Sequence, residues 1–196
     1  RLAQAGLRLR VYGEKGHGAW NQSQPNDLIL ALADGVRVLT RGGSGLDFHL
    51  ENKLGVIGRR AWDEVVMHGQ STLDFDKPRD PGKLIATSKQ MADFLRTRNP
   101  NIELYLMAQW SRADQTYPAK GAWAGPPIEA MARDVRVAYD EAAAAAAAKA
   151  VIPVGEAWTR AIETGVADPN PYDGIEAGRI DLWTYDHYHA STQGYY

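Results

Sequence analysis

The 196-residue chain contains no cysteine. That excludes a disulfide framework and a thiolate metal site, and it leaves the redox compartment open. Charge of one sign is also missing: 22 basic residues stand against 24 acidic ones, with no basic stripe along the chain. Such a balance creates no field that would gather nucleic acid or an anionic membrane, so neither is expected as a partner. No apolar run approaches the roughly twenty residues of a membrane span, and the N-terminus has no apolar signal core. A phosphate loop of the form Gly-x-x-x-x-Gly-Lys-Ser/Thr is absent, although Lys15 and His17 stand among glycines. What remains is the expectation of one soluble domain over residues 1–196, or a piece of one, long enough to bury a core without staples.

Aromatic side chains are plentiful, with six tryptophans and nine tyrosines. They either fill the core and the loops above it or line a carbohydrate or aryl site. The pattern along the chain alternates between the two periods of regular structure. Leu7-Arg-Leu-Arg-Val-Tyr12 alternates as a strand does, Leu28 to Ala33 after Asn26 or Asp27 is expected as a short helix, and Val36-Arg-Val-Leu-Thr40 is expected as a second strand. A helical stretch begins at Leu46, and Trp62-Asp-Glu-Val-Val-Met67 leads into a third strand. Leu84, Ile85, Met91, Phe94 and Leu95 mark a helix that Asn99-Pro-Asn101 stops. The apolar run Ile102-Glu-Leu-Tyr-Leu-Met-Ala108 predicts a strand buried on both faces. Beyond Pro126-Pro127 lies a helix to about Ala150, which takes in the seven alanines 142–148, and then a fifth strand, Val151-Ile-Pro-Val154, and a short helix from Glu156 to Thr164.

Strands separated by helices imply right-handed crossovers and a parallel sheet. The expected fold is therefore α/β, with three α/β/α layers around a central five-stranded parallel sheet of the flavodoxin-like kind. Ligands in such folds sit off the carboxyl ends of the strands, where the polar loops 13–18, 41–45, 68–72 and 109–125 are expected to gather.

The end of the chain carries the chemistry: Leu182-Trp-Thr-Tyr-Asp186-His-Tyr-His189-Ala-Ser191-Thr-Gln-Gly194-Tyr-Tyr196. An acid and an imidazole three positions apart come to the same side of one turn of chain. Asp186 can then hold one ring nitrogen of His189 while the other faces a substrate, the geometry that activates a hydroxyl nucleophile. Earlier, Gly42-Gly-Ser-Gly45 offers backbone N–H groups unshielded by side chains, suited to an oxyanion, and Gly69-Gln-Ser-Thr72 offers an amide and hydroxyls at the end of the third strand.

Asp186, His189, Ser191 and Gly194 resemble the last motif block of the SGNH (GDSL-type) hydrolases, with Ala190 where proline is commoner. The glycine loop resembles the second block, and Leu46-Asp-Phe-His49 after it resembles the Leu-x-x-His helix of one branch. That branch also carries Gln and Ser where Gln70 and Ser71 stand, and Gln109-Trp-Ser-Arg112 and Val154-Gly-Glu-Ala-Trp158 look like its other segments. The resemblance runs from about residue 36 to the C-terminus. It implies an ester hydrolase, acting on a small ester or removing acyl groups from a carbohydrate. His189 would be its general base, Asp186 the orienter, and Gly43 with Gln70 or Ser71 the oxyanion donors; no cofactor is implied.

Two departures stand against it. The family's nucleophilic serine follows the first strand, but Gly13-Glu14-Lys15 stands there, and the family continues past the last block into a helix. Three explanations stay open: a chain shortened at one or both ends, a serine supplied from elsewhere (Ser44, Ser71 or Ser23), or a fold that kept its shape and lost its activity. The last would make the protein a carbohydrate-binding module, with Trp110, Trp123 and Tyr117 stacking on sugar rings. His49, His68 and His187 also admit a metal-dependent hydrolase, above all if His187 and His189 share one face of a strand, but no regular third ligand accompanies them.

Overall fold

The computed structural model describes residues 10–12, 28–33, 36–125 and 127–196. They fall into two compact units divided between Ser44 and Gly45. In the first, β1 (Arg10–Tyr12), β2 (Leu28–Ala33) and β3 (Val36–Thr40) form an antiparallel sheet in that order. The segment expected as a helix, Leu28 to Ala33, is thus a strand. Six apolar residues are too few to tell the two periods apart, and the decisive signal lies just after them. Ala33 pairs with Val36, so only Asp34 and Gly35 separate β2 from β3, and Asp-Gly is among the strongest two-residue hairpin signals.

The second unit holds the parallel sheet, β4 (Glu64–Met67), β5 (Glu103–Ala108) and β6 (Ala150–Pro153), with β5 in the middle. The expectation of five parallel strands is corrected to three, because β1 and β3 pair antiparallel with β2 instead. Helix α1 (Leu46–Asn52) and the single turn α2 (Leu54–Ile57) precede β4. The crossovers are α3 (Gly82–Arg96) between β4 and β5, and α5 (Glu129–Ala146) between β5 and β6; α4 (Ala113–Thr116) is one turn, and α6 (Val154–Glu163) follows β6 directly.

Along β5 burial alternates, so this strand is covered fully on one face and not on both as its composition suggested. Leu104, Leu106 and Ala108 face the main core with Leu84, Met91 and Leu95 of α3 and Met131, Val135 and Tyr139 of α5. On the other face Tyr105, Met107 and Ile152 are half-buried and Val66 is exposed.

The alanine tract has a packing role. Ala142, Ala143 and Ala146 are buried within this core, and their small side chains suit the close approach of two helices. Helix α5 ends without glycine, on Ala147 in the left-handed region (φ 46°), a conformation that costs roughly 1–2 kcal/mol for a residue with a Cβ. Arg96 offsets that cost by donating from Nη2 to the carbonyls of Ala146 and Ala147 at 2.8 and 2.9 Å.

One buried hydrogen bond ties the end of β4 to the core: the Gly69 amide donates to the Tyr139 hydroxyl at 2.8 Å. Burial pushes the Tyr139 hydroxyl pKa above the usual tyrosine value, with the Gly69 bond opposing, so it stays neutral while its oxygen accepts the amide. Tyr139→Phe orphans a buried amide and is expected to cost roughly 1–3 kcal/mol by urea denaturation; an unchanged midpoint would show that water reaches this amide.

Candidate active site

The final segment folds as a closed loop. A bridge between Trp183 and Ala190 joins its two arms, helped by bonds from the Thr184 amide to the His189 carbonyl (2.8 Å) and from the Ser191 amide to the Leu182 carbonyl (2.9 Å). Leu182, Trp183 and Ala190 are buried, which anchors the base of the loop. Gly194 is required where the chain returns over this base, since a Cβ there would lie 2.3 Å from the Leu182 carbonyl oxygen. Ser191 caps the turn that follows it, donating from Oγ to the Asp181 carbonyl and accepting from the Gly194 amide.

Between the arms Asp186 organises everything within reach. Its Oδ1 accepts from the Thr184 hydroxyl (2.7 Å) and from the amides of His189 (2.9 Å) and Tyr188 (3.0 Å). Its Oδ2 accepts from His189 Nδ1 at 2.5 Å. Burial alone would raise this carboxyl's pKa, but the hydrogen bonds from the His189 ring, the Thr184 hydroxyl and the two amides outweigh it. They hold the group well below the usual carboxylate range. The Asp186 side chain is 23% exposed and that of His189 45%, so the acid is sheltered while the imidazole keeps an open edge. With Nδ1 bonded to Asp186, Nε2 is the nitrogen free to take a proton from a hydroxyl.

Three tryptophans form the platform beneath. Trp110 and Trp158 stack at 5.0 Å between ring centres, and Trp158 meets Trp183 edge-on at 5.3 Å. Each indole N–H holds a backbone carbonyl. Trp110 donates to Tyr188 (3.0 Å), Trp158 to Gly194 (3.2 Å) and Trp183 to Ser111 (3.0 Å). The platform thereby ties the loop carrying His189 to the segment that leaves the carboxyl end of β5. Gly155 lets α6 reach the same place, because a Cβ there would lie 2.4 Å from the Gln109 carbonyl oxygen.

Of the expected donors, Ser71 is brought to this loop and is buried. Its hydroxyl accepts from Arg112 Nη1 at 2.8 Å and donates to the Tyr188 hydroxyl at 3.4 Å. Gln70 is half-buried beside it, with its amide nitrogen close to Gly45. Gly43 belongs to the other unit, as does Ser44, whose hydroxyl donates to the Arg41 carbonyl; Ser23 and the 13–18 loop lie outside the described residues.

Other expectations are corrected. Trp123 is 1% exposed and donates to Asp134, Trp110 is stacked in the platform, and the Tyr117 hydroxyl donates to the Pro169 carbonyl. Trp123 is thus too buried to stack on a sugar, while Trp110 and Tyr117 are half-buried and hydrogen-bonded to backbone carbonyls. His187 has a positive φ of 56°, so the segment is a turn; its ring packs on Tyr172 while the His189 ring packs on Tyr188. His68 receives a bond from Gln109 Nε2 (2.7 Å), which also donates to the Gly69 carbonyl. Part of that residue is exposed, yet crowding around its ring lowers the pKa, with the Gly69 contact opposing. Among the described residues no group of three or more His, Asp or Glu side chains is placed to hold a metal ion. No described helix is long and apolar enough to cross a membrane.

The residues that sequence reasoning missed are Thr184, Tyr188, Arg112 and Asp114. Only Arg112 carried a signal, as the last residue of Gln109-Trp-Ser-Arg112 after a buried strand.

No family model matches the chain, and no curated protein matches its sequence. Solved structures do. A protein from Slackia heliotrinireducens described as a candidate SGNH hydrolase superposes with a TM-score of 0.54 at 20% identity, covering 78% of this chain and 74% of that one. A DUF4886 family protein from Bacteroides uniformis ATCC 8492 superposes with a TM-score of 0.50 at 17% identity, covering 85% of this chain but 55% of its own length. The chain therefore has an SGNH hydrolase-like α/β fold with a parallel sheet and helices.

The depressed pKa of Asp186 has a pH consequence. Its carboxylate stabilises the loop fully above the unfolded aspartate value of about 3.9, and that contribution is lost only as pH falls toward the lower folded value. The Asp186 carboxyl ¹³C resonance is accordingly expected to hold its ionised position as pH drops through about 3.9. A titration midpoint at or above that value would contradict the hydrogen-bond pattern.

Proposed function

We propose that the chain is a serine-type ester hydrolase of the SGNH kind, with His189 as general base and Asp186 as its orienter. The observation that carries this is the 2.5 Å bond from His189 Nδ1 to an aspartate that three further donors lock in place, beside an imidazole edge that stays open. An imidazole fixed in this tautomer takes a proton from a hydroxyl at Nε2, and the resulting imidazolium is stabilised by the adjacent carboxylate. The SGNH hydrolase-like fold supports the assignment at the level of architecture.

The oxyanion formed by attack on an ester carbonyl would be met by Gln70 or Ser71. Ser71 reaches the base loop from outside it, through its hydroxyl bond to Tyr188. Its one O–H is given to Tyr188 in the resting site, so as an oxyanion donor Ser71 would turn that proton to the substrate, a bond whose removal costs about 100- to 1000-fold in related chemistry. The substrate class is an ester, either small or an acyl group on a carbohydrate. Three α/β/α layers complete the reading of the fold.

With a short-chain aryl ester, His189→Ala is expected to lower kcat by about 100- to 10,000-fold while the protein melts as the wild type does. Wild-type turnover in the folded variant would remove His189 from the mechanism.

A further inference from the structure

We infer that Arg112 is a positioning residue for the base: it clamps Tyr188 from one side so that the His189 ring, on the other, is held against Asp186. The inference rests on the hydrolase reading for its effect on rate, and on geometry alone for its effect on the ring.

Every nitrogen of the Arg112 guanidinium is committed. Nε and Nη2 donate to the two Asp114 carboxylate oxygens at 2.9 and 2.6 Å, and Nη1 donates to Ser71 Oγ at 2.8 Å. Its plane lies over the Tyr188 ring, 3.6 Å from the ring centre, and the Tyr188 ring packs on that of His189 at 4.2 Å and 35°. The Arg112 side chain is 12% exposed, and its backbone amide donates to Met131 of α5. The clamp therefore stands on the core and not on a mobile arm. A cation–π contact sheltered from water is stronger than the same contact at an exposed site.

The arrangement solves a specific problem. His189 is almost half exposed, and a single hydrogen bond to Asp186 leaves the ring free to rotate about that contact. Tyr188 removes this freedom only if its own ring is fixed. Its backbone is held at both ends, by Asp186 at the amide and Trp110 at the carbonyl, but its ring is held by Arg112 and by the 3.4 Å bond from Ser71. Arg112 also connects the end of β4, through Ser71, to the loop after β5 and the base loop. One guanidinium thus sets the spacing between a candidate oxyanion donor and the base. Asp114 matches its charge, so the clamp brings no uncompensated cation beside the imidazole, and the Asp114 amide donates to the His187 carbonyl at 3.2 Å.

Lysine cannot replace this residue. An ammonium is a point charge with no plane to stack and no fork to span Asp114 and Ser71 together.

The test follows the His189 Nδ1–H proton by NMR and the kinetics on a short-chain aryl ester. In the wild type this proton is expected as a low-field resonance slow to exchange with water. In Arg112→Gln and Arg112→Lys its exchange is expected to quicken by about tenfold or more, and kcat to fall by roughly 100-fold with little change in KM. Tyr188→Leu leaves the Arg112, Asp114 and Ser71 contacts in place and is expected to do the same, so it carries the test if the Arg112 variants do not fold. Unchanged exchange in a folded variant, or full recovery with lysine, would overturn the inference. Quickened exchange in a wild-type background that shows no esterase activity would retain the clamp and sink the hydrolase reading instead.

Discussion

The structure of the site depends on one carboxylate. Asp186 accepts four hydrogen bonds, two from backbone amides, one from a hydroxyl and one from an imidazole, so a single side chain fixes the loop's path and the ring's orientation together. An ionised acceptor makes bonds about twice as strong as a neutral one, and four such bonds outweigh the cost of sheltering the charge. The same local arrangement would be short-lived in an isolated peptide. What makes it persist is the apolar base of the loop, where Leu182, Trp183 and Ala190 are buried with Trp158 and Ile162 of α6.

Magnitudes separate the interactions that build the site from those that decorate the surface. Lys89 and Asp93 pair on an exposed helix face, and such contacts contribute about 0–1 kcal/mol. Arg112 and Asp114 pair in a bidentate geometry with side chains 12% and 24% exposed. Removing one partner there would strand a poorly solvated charge, so the pair acts as a fixed part of the scaffold. The indole N–H groups work similarly. Each would be costly to leave unpaired under the loop, and each is spent on a carbonyl that sets the distance between two segments.

Sequence reasoning located the elements whose signal is local. The helix marked by Leu84, Met91 and Leu95 and the strand ending at Ala108 stand where their periods place them, and the i, i+3 spacing of Asp186 and His189 does bring their side chains together. It failed where partners decide. Leu28 to Ala33 carries no period long enough to betray a strand, and its pairing with β1 and β3 is what reduces the parallel sheet to three strands. Trp123 looked like an exposed loop aromatic because nothing in its neighbours shows Asp134 waiting for its N–H from α5. Arg112 is 76 positions before Tyr188, and no spacing rule joins residues that far apart.

The central claim is that His189, oriented by Asp186, activates a serine hydroxyl. A fluorophosphonate probe followed by peptide mass mapping tests it most directly, because the reagent bonds covalently only to an activated hydroxyl. One labelled serine is expected in the wild-type chain, with labelling slowed by about 100-fold or more when His189 is replaced by alanine. A wild-type chain in which no serine is labelled, or labelling indifferent to that replacement, would contradict it.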